Sequence, residues 1–451
     1  MSPKEPHAAH AVVIGAGIGG LAAAAALAPH FSRVTLLERD RLPPRPEPRA
    51  GVPQCRHVHG LLGGGLNALQ ILFPGVAEQL AAAGAVPIRV GLDARLEQPG
   101  YDPFPQRDLG RTTYSMSRPL LEHVVRELVA RDGRIEIRPN CRAREIVASP
   151  DGRHASAVRC DIDGHASETL QADLIVDASG RGALTLDFLS RAGYPSPEES
   201  SIPVDVRYSC AVFTLPDDSA RDWKILQTKP DPGINGRRAI MFPLEGGNRW
   251  ILGLGGVDGD SAPADLDGFL GYARTLRTPT AHNAVRDASI QGEIQRFAFP
   301  RSLRRHFERM PAFPRGLLPI ADTICRINPS FGQGMSVAAK EAVLLGQVLE
   351  RVFNRGDRPG DAAPTFFAAL GAVLNDPWAV AEQDYGYPHL EGVRPAGFAE
   401  RMKFQAALNR VAAVDPSIHA LMLDVSHLIK PASVLRDPDI AERVAAEILA
   451  A

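Results

Sequence analysis

Gly15-Ala16-Gly17-Ile18-Gly19-Gly20, set between the apolar run Ala11-Val12-Val13-Ile14 and an alanine-rich stretch, has the residue types and spacing to hold a pyrophosphate. Gly15 permits a tight strand-to-helix turn, Gly17 lets main chain approach a phosphate, and Gly20 lets the helix lie close on the strand. Ile18, Gly19 and Gly20 open that helix, where free N–H groups and the helix dipole favour negative charge. A second apolar run, Val34-Thr35-Leu36-Leu37, ends at Glu38 and Arg39, about 20 residues on, where a carboxylate accepts hydrogen bonds from an adenosine ribose. An acid at this position disfavours a 2′-phosphate, so FAD or NAD is expected in preference to NADP.

A second constellation separates these two. The segment Gly316-Leu317-Leu318-Pro319-Ile320-Ala321-Asp322 reads as a short strand ending at a carboxylate, followed by Pro329, Phe331, Gly332, Gly334 and Met335 at the start of a long helix. Asp322 can hold the hydroxyls of a ribitol, and main chain at Gly332 and Gly334 can lie close under a flat ring. The helix N-terminus then places partial positive charge near the flavin N1 and C2 carbonyl, which stabilises the anionic reduced flavin. FAD is the cofactor these residues select.

With Asp177-Ala178-Ser179-Gly180-Arg181-Gly182 as a third motif, residues 10 to 395 resemble the class A FAD-dependent monooxygenases. Gly51-Val52-Pro53-Gln54-x-Arg56-His57-x-His59 and Asp384-Tyr385-Gly386-Tyr387-Pro388 look most like the flavin-dependent epoxidases of polyether antibiotic biosynthesis, of the lasalocid and monensin type. The resemblance implies that Glu38 binds the adenosine ribose, Asp322 the ribitol, and Arg118 the pyrophosphate or nearby backbone, while Arg49, Gln54 and Gly180 approach the cofactor. It also implies an enzyme that inserts one oxygen atom from O2, by epoxidation or hydroxylation through a flavin C4a-hydroperoxide, into a hydrophobic secondary-metabolite intermediate, free or carrier-bound. Two departures stand out: Ala321 replaces the usual glycine before Asp322, and Ser179 and Ala183 stand where many hydroxylases have Asp and Ser. Because the middle motif is associated with nicotinamide handling, the electron donor is left open between NAD(P)H and a partner flavin reductase. Baeyer–Villiger-type oxidation on the same scaffold, and reduction of prenyl double bonds as in geranylgeranyl reductases, are the alternatives. An NAD dehydrogenase or a non-catalytic nucleotide-binding protein is the reading from another class. No Trp-x-Trp-x-Ile occurs around Trp223, Trp250 or Trp378, which argues against a halogenase.

The elements that must position these residues read as α/β: a discontinuous, Rossmann-like FAD-binding domain (8–75, 112–198 and 300–375), an inserted β-rich substrate domain (76–111 and 199–299) with an antiparallel sheet, and a C-terminal helical segment (376–451). Helical patterns run from Gly65 to Ala83 and from Arg118 to Ala130, and Val86 to Leu96 reads as a strand. Tyr208, Phe242, Phe331, Tyr385 and Tyr387 are candidates to line a substrate cavity. His57 and His59 are weak candidates for acid–base work; with no third ligand at recognisable spacing no metal site is expected. Gly253-x-Gly255-Gly256 lacks a following helix and is expected to be a sheet-edge turn, and Arg301, Arg304, Arg305 and His306 a solvated helix face.

The 451 residues are 45% hydrophobic and 23% charged with a formal net charge of -2, so nothing favours nucleic acid or stable insertion into a membrane. No Gly-x-Ser-x-Gly elbow is present, which removes a Ser-His-Asp hydrolase. Five cysteines without CxxC spacing read as reduced thiols in a cytoplasmic protein.

Overall fold

In the computed structural model, residues 7–164, 166–216 and 221–450 are described. Five strands form a parallel sheet in the order Leu317–Pro319, Leu174–Asp177, His7–Ile14, Phe31–Leu37, Ile135–Arg138. The continuous apolar runs follow from burial of both faces. Val13, Leu36 and Val176 pack toward the helices Ile18–Leu27 and Gly334–Asn354, whereas Val12, Ile14 and Ile175 pack with Val158, Cys160 and Phe188 beneath a three-stranded antiparallel sheet.

A six-stranded sheet forms the second layer, in the order Ser289–Phe299, Val206–Thr214, Arg249–Gly256, Arg238–Pro243, Ile225–Thr228, Ala94–Glu97. Only its last pair is parallel. Alternation along each strand sends Phe213, Trp250, Leu252 and Met241 toward the helices Leu266–Arg274 and Thr280–Val285. Cys210, Phe242, Leu244 and Ile251 face the other way, where Val58 covers them. The architecture is therefore an α/β FAD-binding fold with a β-rich layer and C-terminal helices (Phe398–Val414, Pro416–Ser426, Pro438–Ala450). No helix among the described residues is long and apolar enough to cross a membrane.

Local expectations were altered in five places. The pattern from Gly65 to Ala83 is two helices, Gly63–Leu72 and Val76–Ala82, because Pro74 and Gly75 interrupt it. The run from Val86 to Leu96 breaks at Gly91 into Val86–Arg89 and Ala94–Glu97, which join different sheets. The strand before Asp322 stops at Pro319, and Ala321–Thr323 is a single tight turn. Gly253, Gly255 and Gly256 lie inside a central strand, not at an edge; a Cβ on Gly256 would come within 2.6 Å of the Tyr272 hydroxyl. Arg304, Arg305 and His306 form the buried strand Ser302–His306 in place of a solvated helix. Their charges are answered locally, which makes burial tolerable: Arg305 donates to Glu199 (3.0 Å) and the Thr323 carbonyl (2.7 Å), and His306 meets Ser200 (2.8 Å) and Glu308 (2.8 Å).

The C-terminal helices are latched to the cofactor-binding layer at Gly64. Its N–H donates to the His427 carbonyl (2.7 Å), and a Cβ there would lie 2.3 Å from the Leu428 carbonyl oxygen. That same oxygen accepts from Lys340 of the helix Gly334–Asn354 (2.8 Å). Replacing Gly64 by Ala forces main chain against main chain and should cost about 1–3 kcal/mol. Urea midpoints together with limited proteolysis after residue 415 check this; wild-type values for both would remove the latch.

Candidate cofactor site

The glycine loop is tied to the strand that follows it. Gly15 donates to the Leu37 carbonyl (2.8 Å), Ala16 donates to Glu38 Oε2 (2.9 Å), and Asp40 donates to Glu38 Oε1 (3.0 Å). Glu38 is thus oriented at the mouth of the loop by main-chain donors. The helix Ile18–Leu27 starts at Gly17 with no side-chain cap, and the helix Gly334–Asn354 starts at Gln333 with none. Both leave first-turn N–H groups for a ligand. The two motifs, some 300 residues apart in sequence, meet where Gly19 faces Ala321: a Cβ on Gly19 would lie 2.8 Å from that of Ala321.

Arg118 is positioned by the helix Arg118–Ala130, whose Ser117 cap accepts from Leu120 N (3.2 Å) and whose Leu120, Leu121, Val124 and Val125 anchor it in the core. Its guanidinium stands 3.9 Å from where a Gly17 Cβ would be and 3.5 Å from Glu122, and its buried Nε has no partner. Burial lowers its pKa, only partly offset by Glu122 and Asp322. Asp322 is half-buried, and burial raises its carboxyl pKa against the pull of Arg326 and Arg118. Around Gly17, Gly332 and Gly334 little else stands: a Cβ on either of the last two would meet nothing within 4 Å. A buried guanidinium whose Nε has no partner, two uncapped helix starts and open main chain fit a dinucleotide with a flat ring at its far end. FAD meets that requirement.

Other expected residues divide. Arg49, its side chain 6% exposed, bridges Glu122 (2.6 Å), Asp40 (2.8 Å) and Glu38 (3.0 Å) and donates to the Ala16 carbonyl (3.1 Å), so it backs the ribose end of the loop. Arg39 is exposed beside Asp40, and Gln54 sits half-buried on the short turn Pro53–Arg56. Ile18 buries its side chain in the core while its main chain opens the helix; Met335 and Phe331 are half-buried, Pro329 is exposed, and Gly180 is an open turn after Asp177. Asp177 itself is spent on that turn, accepting from Ser179 N (3.0 Å) and Thr185 Oγ1 (2.6 Å).

Residues 55–62 run as a strap between site and sheet. His57 packs edge-on against Tyr208 (4.9 Å) and Phe297 (5.3 Å), with its Nδ1 unpartnered, and burial lowers its pKa to about 4. His59 is held by its Nδ1 donating to the His57 carbonyl (2.9 Å), a tautomer assigned from that bond. Burial, then Arg118, lowers its pKa to about 3, so its Nε2 is left as a neutral acceptor. Further along the strap a Gly60 Cβ would contact the Phe242 ring, and Leu62 N donates to Ser336 Oγ (3.1 Å). Tyr387 is bonded to Arg238, and Tyr385 is buried against Phe398, so both anchor the C-terminal segment.

Three residues passed unnoticed in the sequence. Asn328 donates to Asp384 (2.9 Å) and accepts from Ser330 N (3.0 Å), which fixes the turn before Gly332. Asp384, whose pKa burial raises to about 6, stood inside a noted motif with no role attached. Glu341, fully buried, accepts from Ala321 N (2.5 Å) and so holds the residue before Asp322 in its left-handed conformation (φ 60°); its Oε1 has no partner. Burial raises its pKa from 4.5 to about 8. The folded chain therefore keeps a proton that the unfolded chain has lost, and the stability it supports is full below the lower value and falls as pH rises toward the higher. Glu341→Gln retains the acceptor and removes the titration, so its stability relative to wild type should rise between about pH 5 and about pH 8. Urea midpoints at both pH values check it; a constant difference would be the contrary result.

Residues 8–361 match the family described as FAD binding domain. A protein of Mycobacterium tuberculosis (strain ATCC 25618 / H37Rv), Rv3254, is 32% identical over 417 residues, covering 88% of this chain and 85% of its own. Among solved structures the fold is similar to the flavin-dependent brominase Bmp2 (TM-score 0.66, 17% identity, 93% of each chain). It is also similar to PqsL, a probable FAD-dependent monooxygenase from Pseudomonas aeruginosa (TM-score 0.61, 16% identity, 84% of this chain and 98% of that one). The myxobacterial chondrochloren halogenase CndH matches with a TM-score of 0.61 at 17% identity, over 94% of this chain and 97% of that one. Identities this low speak for the fold, while the family match covers most of the chain: this protein belongs to the FAD binding domain family and is a flavoprotein.

Proposed function

We propose that the protein is an FAD-dependent monooxygenase that places one oxygen atom of O2 in a hydrophobic secondary-metabolite intermediate, by epoxidation or hydroxylation. The observation that carries this reading is the apolar sheet face, Ile240, Phe242 and Ile251, set behind a strap whose two histidines are held neutral beside the cofactor loop. Bound FAD supplies the activation of oxygen. The chain's own contributions are binding, orientation and exclusion of water. Gly17, the first turn after it and Arg118 would hold the pyrophosphate, Glu38 the ribose and Asp322 the ribitol. The N-terminus of the helix Gly334–Asn354 would favour negative charge on the ring. His59 Nε2 is a neutral hydrogen-bond acceptor beside the site, and the sheet face would orient an apolar substrate away from solvent. NAD(P)H or a partner flavin reductase is the electron donor in this reading, and the substrate arrives free or on a carrier.

The test uses purified holoprotein, NADPH or NADH, and isotopically labelled O2 with a panel of lipophilic alkenes and phenols, read by mass spectrometry. Incorporation of a single labelled oxygen atom supports the proposal. Product formed under strict anaerobiosis would favour a double-bond reductase, and halide in the product a halogenase; either outcome overturns it, as does a colourless protein.

A further inference from the structure

The cofactor-facing side of the six-stranded sheet carries an ammonium group that nothing in the fold neutralises. Thr228 directs its hydroxyl to Glu97 (2.8 Å) on the helix-covered face, so Lys229, the next residue, points to the opposite face. Its Nζ donates to Gln98 Oε1 (3.2 Å), and among the described residues no carboxylate lies within ion-pair distance of it. Burial alone lowers its pKa. Gln98 is only 4% exposed, yet its Nε2 has no hydrogen-bond partner. A half-buried cation without a counter-charge, beside a buried and unsatisfied carboxamide donor, is unfavourable unless a ligand completes it.

The register says where that ligand's other end lies. Phe297, Tyr208, Gly255 and Arg238 are successive partners across the sheet, and the pairings of Thr228 place Lys229 opposite Arg238 and Gln98. Arg238 leans over Gly255 and donates to the Tyr387 hydroxyl, while its buried Nε has no partner, so a second cation stands beside Lys229. Three strand spacings, about 14 Å, separate Lys229 from Tyr208, on which His57 packs. Directly between them stand Arg238 and Gly255, and the apolar part of the face, Ile225, Ile240 and Phe242, lies to one side of that line.

We propose that Lys229 and Gln98, with Arg238 beside them, bind the carboxylate of an amphipathic substrate whose apolar body follows Ile240 and Phe242 along the sheet face toward His57 and the cofactor. The Lys229 ammonium and the free Nε2–H of Gln98 are two adjacent donors that match the two oxygens of a carboxylate. This rests on the monooxygenase reading and narrows its substrate class: oxygen enters at the end remote from the carboxylate.

The proposal is tested on oxidised holoprotein without reductant, so that its failure is separate from failure of the oxygen chemistry. Dodecanoate and methyl dodecanoate are titrated against the visible flavin spectrum. Wild type should bind the carboxylate at least tenfold more tightly than the ester. Lys229→Met should reduce that preference to less than twofold, with ester affinity, flavin content and melting temperature unchanged. Gln98→Leu, a second variant should the first fail to fold, should lower the preference several-fold. Equal binding of acid and ester by wild type, retention of the preference in both variants, or binding of neither probe overturns the assignment.

Discussion

Gly20→Ala should yield a protein that purifies almost free of flavin. A Cβ at this position would lie 1.7 Å from the Gly15 carbonyl oxygen and 2.9 Å from its carbon, and both are main chain. Gly15 has little room to move aside, because a Cβ built on it would lie 2.8 Å from the Ala178 carbonyl oxygen, its backbone is left-handed (φ 99°) and its N–H is bonded to the Leu37 carbonyl. The helix Ile18–Leu27 must therefore lift from the opening strand, carrying its free N–H groups away from the pyrophosphate. Overpacking of this kind costs about 3 kcal/mol or more, and since each 1.4 kcal/mol is tenfold in an equilibrium, cofactor affinity should fall by about 100-fold. Gly17→Ala is the informative companion. Its Cβ meets only the Arg118 guanidinium, at 3.9 Å, so the apoprotein should keep wild-type stability while flavin binding weakens. The visible-to-ultraviolet absorbance ratio and the urea midpoint of both variants decide the matter: Gly20→Ala with full flavin content, or Gly17→Ala with unaltered affinity, would contradict the assignment of this loop.

Arg49→Met should be the most damaging substitution away from the glycines. The Arg49 side chain is 6% exposed and serves Glu38, Asp40 and Glu122 at once. Its loss leaves three carboxylates crowded together with only Arg118 near Glu122 and the exposed Arg39 near Asp40, and breaking a buried ion pair from one side costs about 3–5 kcal/mol. Because Glu38 is one of the three, flavin content should fall as well. Adding Glu122→Gln removes one of the stranded charges and should recover part of the loss, a coupling read by a double-mutant cycle in urea. A single variant within about 1 kcal/mol of wild type, or a double variant no better than the single, would show that the hub is not structural.

The cofactor-binding units were legible because their signal is local. Glycine spacing, an apolar run and a strand-end acid encode one strand-turn-helix, and each part lies within a few dozen residues of the next. Asp322 and Gly332-x-Gly334 were legible for the same reason. The parallel sheet, the antiparallel layer and the C-terminal helices followed from runs, alternation and helical periodicity. Arg304, Arg305 and His306 misled, since a cluster of charges reads as solvent-facing unless the residues opposite are known, and Glu199, Ser200 and Thr323 stand opposite. Gly253, Gly255 and Gly256 misled in the same way, being set by Tyr272 and Val58 across the chain.

By itself, the amino-acid sequence determined that this chain is an FAD-binding α/β protein, because that property is written in short-range spacing. Only the tertiary structure decided that Arg49 joins three acids, that Glu341 holds Ala321, and that Lys229 stands beside Gln98 on the sheet face without a counter-charge. Each of these depends on pairing between segments from about 10 to more than 100 residues apart, where burial and electrostatics are set by the facing element and not by the neighbours in sequence.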